Sequence, residues 1–125
     1  MTQDEKDLLL KDLCARIPYK VKVQDTYYKS LEPATIWLLD LNAQKVRLFA
    51  DEPYQDIGYI KPYLFPLSSM TEEQKKELQS LIIQDAFGTP DNTYTLQDFY
   101  CKYHLDYRGL IEKDLALNAT NLNIY

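Results

Sequence analysis

Lys20-Val21-Lys22-Val23 sets a charged residue against a β-branched one at every step. That is the period of two that turns successive side chains to opposite faces of a strand. The run decides the fold class, because it begins a strand-like region inside a chain whose two ends read with helical spacing. Downstream, Thr35–Leu41 is rich in β-forming residues, and Val46 and Leu48 alternate with Lys45 and Arg47. Asp40–Lys45 supplies a turn, with Asn42 as its left-handed or Asx residue. Asp51–Gln55 supplies another before Ile57–Ile60. Residues 20–63 are thus predicted to form a β-meander of three to five short antiparallel strands, a small bent sheet or SH3-like barrel covered by helices.

Upstream, Thr2 and Glu5 have the spacing of a capping box, in which hydroxyl and carboxylate each satisfy an orphaned backbone N–H. Leu10, Leu13, Cys14 and Ile17 follow at i, i+3, i+4 and i+7, with Lys6, Asp7, Lys11 and Asp12 opposite. The pattern predicts an amphipathic helix over 1–17 that ends before Pro18 and buries Cys14. After the meander, Lys61-Pro62-Tyr63-Leu64-Phe65-Pro66-Leu67 carries two prolines, which argues for an extended connector or edge rather than a central strand. Thr71 and Gln74 open a second box, with Leu78, Leu81, Ile82 and Ala86 in helical period until Gly88. A Thr89-Pro90-Asp91-Asn92 turn leads to Thr95, which can cap a third helix bearing Leu96, Phe99, Tyr100 and Tyr103 on one face. Gly109 marks a turn, and Leu115, Leu117, Leu122 and Ile124 are expected to anchor an ordered tail. The expectation is one α+β domain spanning 1–125, its residues 71–125 being the helical part with that tail.

Composition narrows the function. The chain has 125 residues, a formal charge of −5, eleven tyrosines and one histidine. Its pI of about 4.8 and the lack of a basic segment argue against a phosphate-backbone partner. No apolar run approaches the roughly 20 residues of a membrane helix. The acidic opening, Met1-Thr2-Gln3-Asp4-Glu5, lacks the pattern of a secretory signal, so a cytoplasmic location is expected. Cys14 and Cys101 stand far apart, as suits reduced thiols.

The chemistry-bearing residues are few. Cys101 and His104 could share one helix face as half of a metal site, but a structural zinc takes four ligands, and Cys14 and Asp106 would have to be recruited. The same pair could be nucleophile and base, although no third, orienting group is indicated. Ser68 and Ser69 lie outside any nucleophile motif. Gly58, Gly88 and Gly109 are too scattered for a phosphate-cradling loop. Neither cofactor nor metal is expected.

Asp106-Tyr107-Arg108 is the densest polar and aromatic group in the chain, and tyrosine and arginine are enriched at interface hot spots. It reads in two ways: Asp106 and Arg108 fix a loop, or the group, with neighbouring His104, recognises a partner.

Three segments carry a resemblance: residues 5–19, opening Glu5-Lys6-Asp7-Leu8; residues 60–74, with Lys61-Pro62-Tyr63-Leu64 and Pro66-Leu67-Ser68-Ser69-Met70-Thr71-Glu72-Glu73; and residues 104–113, with Asp106-Tyr107-Arg108-Gly109-Leu110-Ile111. In these the chain resembles a family of small uncharacterised proteins of gut bacteria, often carried on prophages and other mobile elements. The family pattern usually has glycine, the residue of left-handed turns, where this chain has Asp114. The resemblance implies an accessory role for a mobile element or phage, acting on a host or element protein, and no catalytic residue or cofactor. The expected function is therefore a non-enzymatic protein-interaction module, the alternative being a small enzyme using His104 with Asp106 or Cys101.

Overall fold

The computed structural model describes residues 1–27, 32–48, 54–86 and 94–125. The first helix, α1 (Gln3–Arg16), starts at the Thr2 box: Thr2 Oγ1 accepts from Glu5 N at 3.1 Å, and Thr2 N donates to Glu5 Oε1 at 2.9 Å. A 3₁₀ turn over Ile17–Tyr19 takes Pro18 at its second position, where a missing N–H costs nothing. The buried face is not the one that hydrophobicity predicts. It consists of Leu9, Asp12, Leu13 and Arg16, while Cys14 is exposed. The reason is electrostatic: Asp12 and Arg16 pair inside the protein, so the helix is turned to bring two charges inward.

The strands are β1 (Lys22–Asp25), β2 (Ala34–Thr35), β3 (Leu38–Asp40), β4 (Lys45–Arg47), β5 (Gln55–Asp56), β6 (Ile60–Leu64) and β7 (Leu117–Asn118). They form two open sheets, ordered β2-β1-β6-β7 and β3-β4-β5. The fold is thus α+β but not a closed barrel. It is also not purely a meander, since β7 joins β6 in parallel after the helices have intervened. In the turn between β3 and β4 the left-handed residue is Gln44, and Asp40 is the Asx residue, its Oδ1 accepting from Asn42 N and Ala43 N. Most of the expected 51–55 turn lies outside the described residues.

Pro62 falls in the central strand β6, contrary to the expected connector. The register explains its tolerance. Thr26 N donates to Tyr59 O at 2.8 Å, which marks that pair as hydrogen-bonded. Alternation along the antiparallel ladder then puts Val23 and Pro62 at a non-hydrogen-bonded position. On the other side, pairing with β7 starts only at Tyr63. The missing N–H therefore falls where neither neighbour requires it.

Leu9 and Leu13 from α1 meet Val23, Val46, Ile60, Leu64, Leu110 and Leu115 in one apolar core. Because Val46 belongs to the second sheet and Val23 to the first, both sheets share it. A second cluster lies between α2 (Glu72–Ala86) and α3 (Leu96–Lys102), built on Leu81, Phe99 and Leu105 with Leu78, Leu96, Tyr100 and Tyr103 against them. Both helices begin as expected, at the Thr71/Gln74 box and at a box between Thr95 and Asp98. Ile82, expected inside, is half exposed, and the expected turn over 88–92 lies outside the described residues. Phe65 ties the clusters together: its N–H donates to His104 O and its carbonyl accepts from Asp106 N, each at 2.8 Å.

The tail is held in part as expected. Leu115 is buried, together with Ala116 and Ala119, whereas Leu117 and Ile124 are half-buried and Leu122 is exposed. Tyr125 provides the remaining anchor, its hydroxyl accepting from Lys22 N at 2.8 Å and donating to Tyr63 O at 2.7 Å. Asp114 adopts a left-handed backbone with φ 59° despite not being glycine.

Candidate functional site

Asp106 is buried, and both carboxylate oxygens are committed to backbone: Oδ1 accepts from Leu110 N at 2.8 Å and Oδ2 from Ile111 N at 2.9 Å. It braces a reversal that passes through Gly109, whose φ of 71° is left-handed. This is the loop-fixing role among the two readings of that residue.

Tyr107 and Arg108 project from the braced loop into a polar network. Arg108 Nε donates to Asp12 Oδ1 at 3.1 Å, and its Nη2 donates to Tyr107 Oη at 2.9 Å. The other oxygen of Asp12 accepts from Arg16 Nε at 2.7 Å, and Arg16 Nη2 donates to the Leu105 carbonyl at 2.6 Å. One carboxylate thus serves two guanidinium groups. The Tyr107 ring stacks on Tyr100 at 5.0 Å, and the guanidinium carbons of Arg108 and Arg16 lie 4.8 and 5.3 Å from its centroid. Burial pushes the Tyr107 phenol above its ordinary value, so it stays protonated and can donate as well as accept at neutral pH. Charge, stacking and hydrogen bonding together hold both side chains in place.

Opposite this loop lies the 3₁₀ turn Leu67–Ser69. Pro66, Leu67 and Ser68 form one wall of a groove of about 650 Å³, and Tyr107, Arg108, Ile111 and Glu112 form the other. Leu67 is 39% exposed. Two segments some forty residues apart in sequence, both among those that carry the resemblance, are therefore the two sides of one surface. No spacing rule could have shown this, because the Phe65 pairing with residues 104–106 creates it.

His104 is not part of that groove. It ends α3 with a left-handed φ of 56°, fixed by its N–H donating to Cys101 O and its carbonyl accepting from Phe65 N. Its ring stacks on Tyr125, with centroids 3.7 Å apart and planes 13° apart. It lines a separate cavity of about 440 Å³ with Phe65, Tyr103 and Tyr125. The buried Nδ1 has no hydrogen-bond partner among the described residues. Burial, aided by the positive charges of Arg16 and Lys22, pulls the imidazole down to about 4, so it is neutral at physiological pH.

Cys101 is fully buried, and that burial pushes its thiol up. A raised thiol beside a lowered imidazole widens the gap a proton would have to cross between them. Among the described residues no three His, Cys, Asp or Glu side chains are grouped so as to hold a metal ion, and no helix is long and apolar enough to cross a membrane. Asp12 and Arg16 are the site-supporting residues that patterning overlooked; their i, i+4 spacing of opposite charges was the available signal.

Compared with known protein families, curated proteins and solved structures, the chain gives no match.

Proposed function

We propose that this protein is a non-enzymatic protein-interaction module that meets its partner along the groove between residues 66–68 and 107–112. The observation that carries this reading is the pre-ordering of Tyr107 and Arg108. Both are held by Asp12, Tyr100 and each other before any partner arrives. Side chains already fixed lose little rotamer freedom on binding, which elsewhere costs about 0.5–1.5 kcal/mol for each one immobilised. A hydrophobic step at Leu67 and Ile111, a cation at Arg108 and an anion at Glu112 give the groove the mixed character of a transient protein interface. The setting implied by the resemblance makes the partner a protein of the host or of the mobile element itself.

The alternative, a small enzyme using His104 with Asp106 or Cys101, has less behind it. Both Asp106 oxygens are occupied by backbone N–H groups, and His104 Nδ1 bonds to neither residue.

Affinity capture with tagged protein tests the proposal. Leu67→Asp and Glu112→Lys alter exposed groove positions without touching the ion network, so both variants should fold and lose the proteins that wild type retains. Identical captures from wild type and both variants would sink the assignment. Loss of function in His104→Ala with capture intact would favour the enzyme instead.

A further inference from the structure

Arg108 lines the groove with its bonding incomplete. A guanidinium carries five N–H donors. Two are spent, one from Nε on Asp12 Oδ1 and one from Nη2 on Tyr107 Oη, which leaves three, and Nη1 has no hydrogen-bond partner among the described residues. Arg16 differs: its unpaired Nη1 is enclosed, whereas Arg108 keeps 17% of its side chain exposed and has no enclosed unpaired atom. The charge balance is incomplete as well. Asp12 answers two guanidinium groups with one carboxylate, and Asp106 has both oxygens on backbone N–H groups. What Arg108 lacks is an anion carrying one unit of charge. In the same groove Leu67 is exposed, Ile111 is half-buried and Glu112 is exposed.

Resting on the interaction reading above, we propose the chemistry of the partner: a short protein segment that places one aspartate or glutamate on the open end of Arg108, a large apolar side chain between Leu67 and Ile111, and a basic residue against Glu112. The carboxylate follows from the guanidinium. Its N–H groups take a carboxylate in pairs, and such charge-assisted bonds are roughly twice as strong as neutral ones. The single charge follows from the excess of one. A phosphate brings about two charges and sets them near Glu112 in a chain whose formal charge is −5. The base follows from Glu112, since an acidic segment without one meets like charge there and loses affinity. The apolar residue covers Leu67, whose exposed surface gains by leaving water.

Two N-acetylated, C-amidated peptides test this against the full chain by NMR, read at the Arg108 Nε–H signal and the Leu67 and Ile111 methyl groups. The sequences Asp-Leu-Gly-Lys and Lys-Gly-Leu-Asp cover both chain directions. One of them should bind saturably, with a Kd at or below about 1 mM. Replacing its aspartate by asparagine, or its leucine by glycine, should weaken binding about tenfold. Raising the salt from about 0.1 M to about 1 M should weaken it as well. Arg108→Lys keeps the charge and loses the fork, and should bind the same peptide at least about fivefold more weakly; if that variant does not fold, Leu67→Asp, at an exposed position, should show the loss instead. No saturable shift with either peptide, equal binding of the asparagine form, or tighter binding of a form with phosphoserine in place of aspartate would each overturn the proposal. Affinity capture remains a separate readout. If Leu67→Asp and Glu112→Lys lose what wild type retains while both peptides fail, the groove stands and only its partner chemistry falls.

Discussion

Asp12 and Arg16, one turn apart on α1, are both 0% exposed, with Arg16 Nε 2.7 Å from Asp12 Oδ2. Their burial rotates the helix, and the second Asp12 oxygen extends the pair to Arg108 on the far loop. A buried ion pair is weak evidence for stability as such, but loss of one partner leaves a charge stranded. Asp12→Ala strands Arg16, whose Nη1 already lacks a partner among the described residues. It should destabilise the protein by about 3–5 kcal/mol in urea titration. The double variant Asp12→Leu/Arg16→Met should recover part of that loss, because it removes the two enclosed charges and refills the space, while Arg108 and the Leu105 carbonyl each still lose a partner. A loss below about 1 kcal/mol in the single variant would mean that the pair is not enclosed.

Acid sensitivity should come partly from His104. Its folded-state value of about 4 lies below the ordinary 6.5, so the unfolded chain binds the proton more readily. The associated stability is complete above pH 6.5 and is lost as pH falls toward 4. The change over this window should be smaller than the shift alone implies, because the imidazole is only part-buried and solvent screens its charge. Chemical denaturation at several pH values should show this slope in wild type and a flatter one in His104→Phe. Equal slopes would show that carboxylates alone set the acid limit.

Local signals were legible where a residue acts on its own neighbours. The capping boxes at Thr2/Glu5 and Thr71/Gln74 and the cap at Thr95 are such cases, because each hydroxyl and the N–H it serves belong to one turn. The face of α1 was not legible in the same way. Binary patterning assigns charged residues to solvent, and Asp12 and Arg16 reverse that only because Leu105 O and Arg108, some ninety residues away, complete their bonding. Pro62 misled for a related reason: its fitness for a central strand depends on ladder phase, which a single strand does not encode. The candidate site shows both effects. Asp106, Tyr107 and Arg108 were conspicuous as a cluster, but tertiary pairing at Phe65 sends His104 into one cavity and Tyr107 and Arg108 into another.

Asp114 offers a test of backbone strain. Its φ of 59° is expensive for residues other than glycine, though aspartate tolerates it better than most. Its contact with Lys61, at 3.0 Å, is largely solvent-exposed and contributes at most about 1 kcal/mol. Asp114→Gly should therefore stay within about 1 kcal/mol of wild type, with relief of strain offset by the freer unfolded chain. Asp114→Val should cost about 1–3 kcal/mol, because β-branching is incompatible with the turn. Thermal melts of the two variants check this; equal midpoints would show that the turn relaxes to another conformation.

Tyr125 tests whether the tail is fastened by ring or hydroxyl. The hydroxyl bridges two backbone groups on neighbouring strands, Lys22 N of β1 and Tyr63 O of β6, while the ring covers His104. Tyr125→Phe keeps the stack and deletes the bridge, leaving that N–H and C=O short of a partner at a cost of about 1–3 kcal/mol. Tyr125→Ala removes both and uncovers the imidazole. If burial under Tyr125 is what lowers His104, its NMR-detected titration should move upward toward 6.5 in the alanine variant and stay near 4 in the phenylalanine variant. The same titration in both variants would assign the low value to the surrounding loop and to the charge of Arg16 instead.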